Sequence, residues 1–284
     1  MRRQIALSVF VFTFVMILAT AQPAVQAQTA AKQISKDEVF ISLAKRINAA
    51  SESPVSAIVA EIDGVIEVAS IAMEADGKAL VTVKERNELS APKTTRLKFS
   101  PPASDNQWSW VEFEENRKFY PVEKIFPYAK GELEKRRQLV TGKWGAFVTG
   151  TSKQADAAFK VLDTAKAVLK TEPPPLTPFN NVRTTYLQAV KDNDSAGIVA
   201  GYRDLSQQTD SILTLGDTYG DLKTNDAYLR LLEEYKNLIN LTNAARKDYV
   251  RAVESYNESL LRLPFALVAY GLQYTKLDLN LSAE

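Results

Sequence analysis

Residues 221–263 read DLKTNDAYLRLLEEYKNLINLTNAARKDYVRAVESYNESLLRL, with no Gly or Pro before Pro264. The seam of this stretch falls at Tyr228, Leu232, Tyr235, Ile239, Thr242, Arg246, Tyr249, Val253, Tyr256, Leu260 and Leu263. Steps of four and three alternate throughout, which is a heptad rhythm. A second row at Leu231, Leu238, Ala245 and Ala252 widens the stripe on one side. The spacing predicts one helix from 221 to 263, about 60 Å long at 1.5 Å per residue. A rod of that length is stable only when neighbouring helices cover its stripe, and a wide stripe suits an antiparallel bundle. If part of the stripe stays uncovered, the chain becomes a dimerising rod, so a homo-oligomer stays open.

Outward from this helix the 284 residues fall into three parts. Met1 to Ala27 has the layout of an export signal: Arg2 and Arg3, then an apolar run over 5–21, then Val25-Gln26-Ala27 as a small-x-small cleavage site. The run also sits at the lower limit for a membrane span, so an uncleaved anchor is the competing reading. Either way the rest of the chain is expected outside the cytoplasm, periplasmic or extracellular, and possible anchoring to the inner membrane stays open.

Residues 28–127 are expected to form a small α+β domain with an antiparallel sheet. A short helix over 37–50 carries Phe40, Leu43, Ala44 and Ile47 on one face, and Ser35 stands near its cap position. From Val55 the pattern reads as β. Segments 65–73 and 79–86 flank Asp76-Gly77, a hairpin signal because both residues tolerate positive φ. Further strands are expected at 94–99 and 107–114, and an edge strand at 119–125 that tolerates Pro121.

Residues 128–284 read as helical. Lys135, Arg136 and Arg137 form a basic cluster, which suits either a solvated helix face or anionic lipid headgroups. Gly142, Gly145 and Gly150 are expected to loosen the chain around Trp144 and Phe147 before a helix begins at Ser152 and runs to about Lys170. Pro173-Pro174-Pro175 and Pro178 predict an extended connection. Helices with stripes Phe179, Val182, Tyr186, Val190 and Ile198, Tyr202, Leu205, Thr209, Ile212, Leu215 follow.

The chain contains no Cys and no His. That removes thiol nucleophiles, imidazole bases, disulfides and Cys or His metal sites together. With 35 basic and 34 acidic residues the net charge is +1, which does not suit a nucleic-acid binder. No phosphate-binding Gly loop, nucleophile elbow or calcium loop occurs. No catalytic residue, metal site or cofactor is expected. Glu112, Glu114 and Glu115 cluster, but carboxylates along one strand do not make a glycosidase.

Three side chains are candidate ligand contacts. Trp108 and Trp110 are two apart on a strand and share a face, either as core for the first helix or as a platform for a glycan or peptide. Arg246 sits on the seam, where a guanidinium fixes register or anchors an anionic group. The tyrosines at 228, 235, 249 and 256 read as core packing with each hydroxyl partnered at the bundle edge. Asn257 beside them reads as a polar lock.

From Tyr219 onward the sequence resembles the LemA family. Tyr219-Gly220-Asp221-Leu222-Lys223-Thr224-Asn225 stands where that family has a Tyr-Pro-Asp-Leu-Lys-x-Asn turn. Arg246, Tyr249 and Tyr256-Asn257 echo its Arg-x-x-Tyr-Asn followed by a second Tyr-Asn. Arg262-Leu263-Pro264-Phe265 and Leu267-Val268-Ala269 match its terminal segment. Gly220 replaces the Pro, Val250 replaces the first Asn, and the Phe-Lys-Pro tail motif and the first-helix Asn-Leu-Val element are missing. The match is best over 219–269 and reaches 152–274 with the preceding helices. It implies a bundle of long antiparallel helices tied to a bacterial membrane by its N-terminal segment, with no established enzymatic activity. Together these readings give an exported, non-catalytic scaffold of the cell envelope that binds an envelope protein or a cell-wall component.

Overall fold

Alternation in the N-terminal half builds an antiparallel meander. In the computed structural model, which describes residues 33–48, 54–86, 93–103 and 106–278, β1 (Ile66–Met73), β2 (Ala79–Glu85), β3 (Thr94–Ser100), β4 (Ser109–Glu115) and β5 (Lys118–Pro121) pair in sequence order. The export-signal segment lies outside the described residues. The β1–β2 turn is the one its sequence predicts: Gly77 takes φ +82°, and the Asp76 carboxylate accepts from the Lys78 N–H at 3.1 Å. Alternation on β2 turns Ala79, Val81 and Val83 inward.

Two helices cover that inner face. α1 (Lys36–Asn48) opens with a capping box: the Ser35 N–H donates to Glu38 at 2.9 Å and the Glu38 N–H to the Ser35 hydroxyl at 3.2 Å. It buries Val39, Phe40, Leu43, Ala44 and Ile47. The chain after Pro54 is helical rather than β: α2 (Val55–Val65) buries Ile58 and Ile62. Val55, Ile58, Val59, Ile62 and Val65 follow three-and-four spacing, and that period outweighs their β-branched composition.

The helical half departs furthest from expectation in α3 (Ile125–Leu169), which runs 45 residues without a break. Pro127 falls in its first turn, where the missing N–H costs no helical bond. Gly142, Gly145 and Gly150 do not loosen it. Each glycine costs a helix about 1 kcal/mol, a loss that packing offsets at the middle of the rod. There Trp144 packs against Phe147 and Tyr249 with tilted rings at separations of 5.7 and 5.1 Å, and Phe147 meets Tyr202 edge-on at 5.0 Å.

The seam helix is α8 (Asp226–Ser259), shorter at both ends than its rhythm suggests. Residues Gly220–Thr224 form a 3-10 turn, and Asn225 then caps α8 by accepting from the Tyr228 N–H at 2.9 Å. The chain leaves the helix after Ser259, and Leu263 lies beyond it. α3 and α8 are antiparallel: Arg136 bonds Ser255, Lys143 pairs with Asp248, and Gly150 meets Thr242. A Cβ on Gly150 would stand 3.3 Å from the Thr242 hydroxyl oxygen, so glycine permits the rods to close there.

α4 (Leu176–Lys191) and α5 (Ser195–Gln207) form a hairpin over one flank of this pair. Pro178 does not lie in an extended linker but in the first turn of α4, for the same reason as Pro127. The single helix expected to reach Leu215 is three: after α5 come α6 (Thr209–Leu213) and α7 (Leu215–Thr218). α9 (Phe265–Gly271) returns to the sheet end of the molecule, and Leu263, Leu267 and Val268 join the core formed by the sheet, α1 and α2. The architecture is therefore α+β, a five-stranded antiparallel sheet followed by a bundle of long helices.

Candidate functional site

Trp108 and Trp110 lie inside the sheet's core rather than on its surface. Each is 4% exposed. Trp108 precedes β4, and a bulge opposite Lys98 and Phe99 inserts Val111, so Trp110 and Phe113 both turn inward. Ser42 of α1 accepts from the Trp110 backbone N–H at 2.7 Å, and the Trp110 indole donates to the Glu112 carbonyl at 2.9 Å. The Trp108 indole N–H is buried with no partner among the described residues. The two rings border a shallow cleft of about 260 Å³, shared with Ser42, Lys45, Arg46 and Gln107. Neither presents an open face on which a sugar could stack.

The neighbouring glutamates separate. Glu114 points to the outer face and accepts two hydrogen bonds from Arg96, one of them from Nε at 2.8 Å. These bonds hold its carboxyl below the ordinary value and raise the guanidinium. Glu112 lies 4.0 Å from Lys78. Glu115 turns instead toward a second cleft, of about 300 Å³, lined by Phe113, Asn116, Tyr120, Lys124 and Tyr128. That cleft carries no sequence motif. Its only local signal is Asn116-Arg117, both at positive φ in the two-residue β4–β5 turn.

On α8 the seam is buried at Tyr228, Leu232, Tyr235, Thr242, Tyr249, Val253, Tyr256 and Leu260, and half-buried at Ile239 and Arg246. Burial raises the phenols of Tyr228, Tyr235, Tyr249 and Tyr256. Two hydroxyls are bonded, Tyr235 to Thr209 at 3.2 Å and Tyr256 to the Thr275 carbonyl at 3.3 Å. The Tyr228 hydroxyl is buried beside the Gly216 backbone. Arg246 makes no ion pair among the described residues, and its Nε is buried and unbonded. It lies one turn beyond Asn243, which accepts from Tyr202 of α5 at 3.2 Å, on the same flank. Asn257 grips the C-terminal tail by both ends of its amide, donating to the Leu277 carbonyl and accepting from the Leu277 N–H, each at 2.8 Å.

The opposite flank of the α3/α8 pair is open. Gly145, Ala146, Thr149, Gly150 and Lys153 of α3 face Leu238, Leu241 and Ala245 of α8 across a groove of about 400 Å³. Leu241 is 65% exposed at its edge. Of the basic cluster, Lys135 pairs with Glu132 at 2.7 Å, Arg136 reaches Ser255 at 3.0 Å, and Arg137 points outward beside a cleft under the tail. Among the described residues no group of acidic side chains is arranged to hold a metal ion, and no helix is long and apolar enough to cross a membrane.

Residues 143–282 match the LemA family. The match begins inside α3, near Trp144, and takes in α4 to α9. No curated protein matches the chain.

Proposed function

With a C-terminal helical region of the LemA family as premise, we propose that this chain is a non-catalytic scaffold of the cell envelope that holds a partner protein on its helical bundle. The observation that carries this reading is the uncovered flank of the α3/α8 pair. α4 and α5 shelter one side, while the other leaves Leu238, Leu241 and Ala245 beside a floor of small residues. Such a floor lets a partner's side chains approach the rods closely, and the apolar area gains when water leaves it. Export, through the segment ending near Ala27, would bring this face into the envelope.

A photo-crosslinking residue at position 241 in the native host tests the reading. One discrete adduct, lost when Ala245→Glu places a charge in the groove, is the expected result. No adduct at 241, or purified protein turning over glycan, ester or peptide substrates in a manner abolished by one carboxylate substitution, would overturn it. Sedimentation of the purified chain separates a foreign partner from a second copy, since self-association through the groove would yield a dimer that Leu241→Glu dissolves.

A further inference from the structure

The cleft at the sheet's far edge lies outside the residues matched to the family and plays no part in the scaffold reading. Phe113, buried at 3%, forms its floor. Tyr120 on β5 and Tyr128 in the first turn of α3 form its walls, exposed by 36% and 43%. The Phe113 and Tyr120 rings lie 5.8 Å apart, tilted by 32°. Tyr128 is braced from behind by Phe265, stacked at 6.1 Å.

Around these rings stand five polar tips: the Glu115 carboxylate, the Asn116 amide, the Tyr120 and Tyr128 hydroxyls and the Lys124 ammonium. None makes a hydrogen bond or ion pair with another described residue. Burial, and then the nearby charge of Glu115, raise the Tyr128 phenol, which keeps it a protonated donor. The cleft therefore combines flat apolar faces with donors and acceptors at the rim, and its two charges cancel.

Each alternative ligand class conflicts with one of these groups. A cation suits the rings and Glu115 but meets Lys124. An anion suits Lys124 but meets Glu115. An apolar side chain would desolvate five polar tips without partners. A pyranose ring is apolar across its C–H faces and polar around its edge, carries no charge, and fits the space in one or two units. We propose that this cleft binds a neutral saccharide of one or two pyranose units, stacked on Tyr120 and Tyr128 and bonded at its rim by Glu115, Asn116 and Lys124.

Calorimetric titration of the full chain with N,N′-diacetylchitobiose, cellobiose and maltose tests this, with tetramethylammonium chloride as the competing cation. At least one disaccharide is expected to bind, about tenfold more weakly to Tyr128→Ala and to Tyr120→Ala. Glu115→Gln keeps an acceptor and should weaken sugar binding only a few-fold. Both tyrosines are partly exposed, so their removal leaves the core filled. Lys124→Ala, on an exposed side chain, gives a second variant whose weakened binding is expected whatever the tyrosine variants do to folding. Absence of binding by all three sugars, or binding unchanged in Tyr120→Ala and Lys124→Ala, overturns the proposal. So does tighter binding of tetramethylammonium that Glu115→Gln abolishes. Failure here leaves the crosslinking result at position 241 untouched, because the two sites share no residue.

Discussion

The backbone N–H of Leu263 donates to the carboxylate of Glu85 at 2.9 Å, joining the end of β2 to the chain beyond α8 across 178 positions. Glu85 is 2% exposed and continues the inward row of Ala79, Val81 and Val83, while Arg262 approaches its other oxygen at 3.5 Å. A carboxylate held inside a core must keep its partners, since an unpaired one is costly to bury. Glu85→Ala leaves the Leu263 N–H unsatisfied and should lower unfolding free energy by about 1–3 kcal/mol. Glu85→Gln retains an acceptor and should cost less. Urea unfolding of both variants checks the order; equal effects would mean that the Leu263 bond contributes nothing of its own.

Asn257, in the last turn of α8, gives a separate prediction. Its amide satisfies both backbone groups of Leu277, as a neighbouring strand would. Asn257→Ala removes two hydrogen bonds worth about 0.5–1.5 kcal/mol each. The effect should be local, because the tail beyond Tyr274 can detach without opening the bundle. Amide exchange at Leu277 is expected to speed up while exchange in α3 stays unchanged. Asn257→Asp keeps the acceptor and should fall between the two.

The Glu114–Arg96 pair on the outer sheet face sets a pH dependence. Hydrogen bonds from Arg96, followed by its charge, hold the Glu114 carboxyl below the ordinary 4.5. A carboxyl depressed in the folded state contributes stability that is present above its unfolded value and lost as pH falls through the folded one. Stability should therefore decline below about pH 4.5, and Arg96→Gln should flatten that part of the decline. Chemical unfolding at pH 7 and pH 3.5 measures it. An identical slope in wild type and variant would assign the acid sensitivity to other carboxylates.

How far the residues announced this arrangement varies with the kind of signal they carry. The three-and-four rhythm from Tyr228 to Leu260 is strictly local, and it led directly to α8 and to the need for antiparallel covering rods. Asp76-Gly77 was equally readable, because one turn type needs those residues. α3 was hidden because its glycines and Pro127 lower intrinsic helix propensity, while the aromatic contacts that offset them come from Tyr249 and Tyr202, far away in sequence. The Trp pair was misleading as a ligand platform, since a one-residue bulge and the approach of α1 decide where the rings lie. Spacing alone left both outcomes open. Nothing local marks Tyr120 and Tyr128 as neighbours, as a strand end and a helix start bring them together. Glu85, by contrast, is legible in the β2 alternation as an inward carboxylate, because it continues the row of Ala79, Val81 and Val83.

Thr242 offers the sharpest test of the seam itself. It is fully buried where α8 meets Gly150 of α3, and among the described residues its hydroxyl has no hydrogen-bond partner. An unbonded hydroxyl inside a core costs about 1–3 kcal/mol in mutational series. Valine has nearly the same shape without that cost, so Thr242→Val should raise unfolding free energy by about 1 kcal/mol. Gly150→Ala tests the same contact from the other rod. It gains about 1 kcal/mol of helix propensity but places a methyl 3.3 Å from the Thr242 oxygen, tighter than an ordinary contact. The valine methyl occupies the same place, so the two changes should not add, and the double variant should be less stable than the sum predicts. Thermal unfolding of the two single variants and the pair checks this. Simple additivity would mean the rods separate freely at this crossing, and the groove beside Leu241 would then lack the fixed floor that partner binding requires.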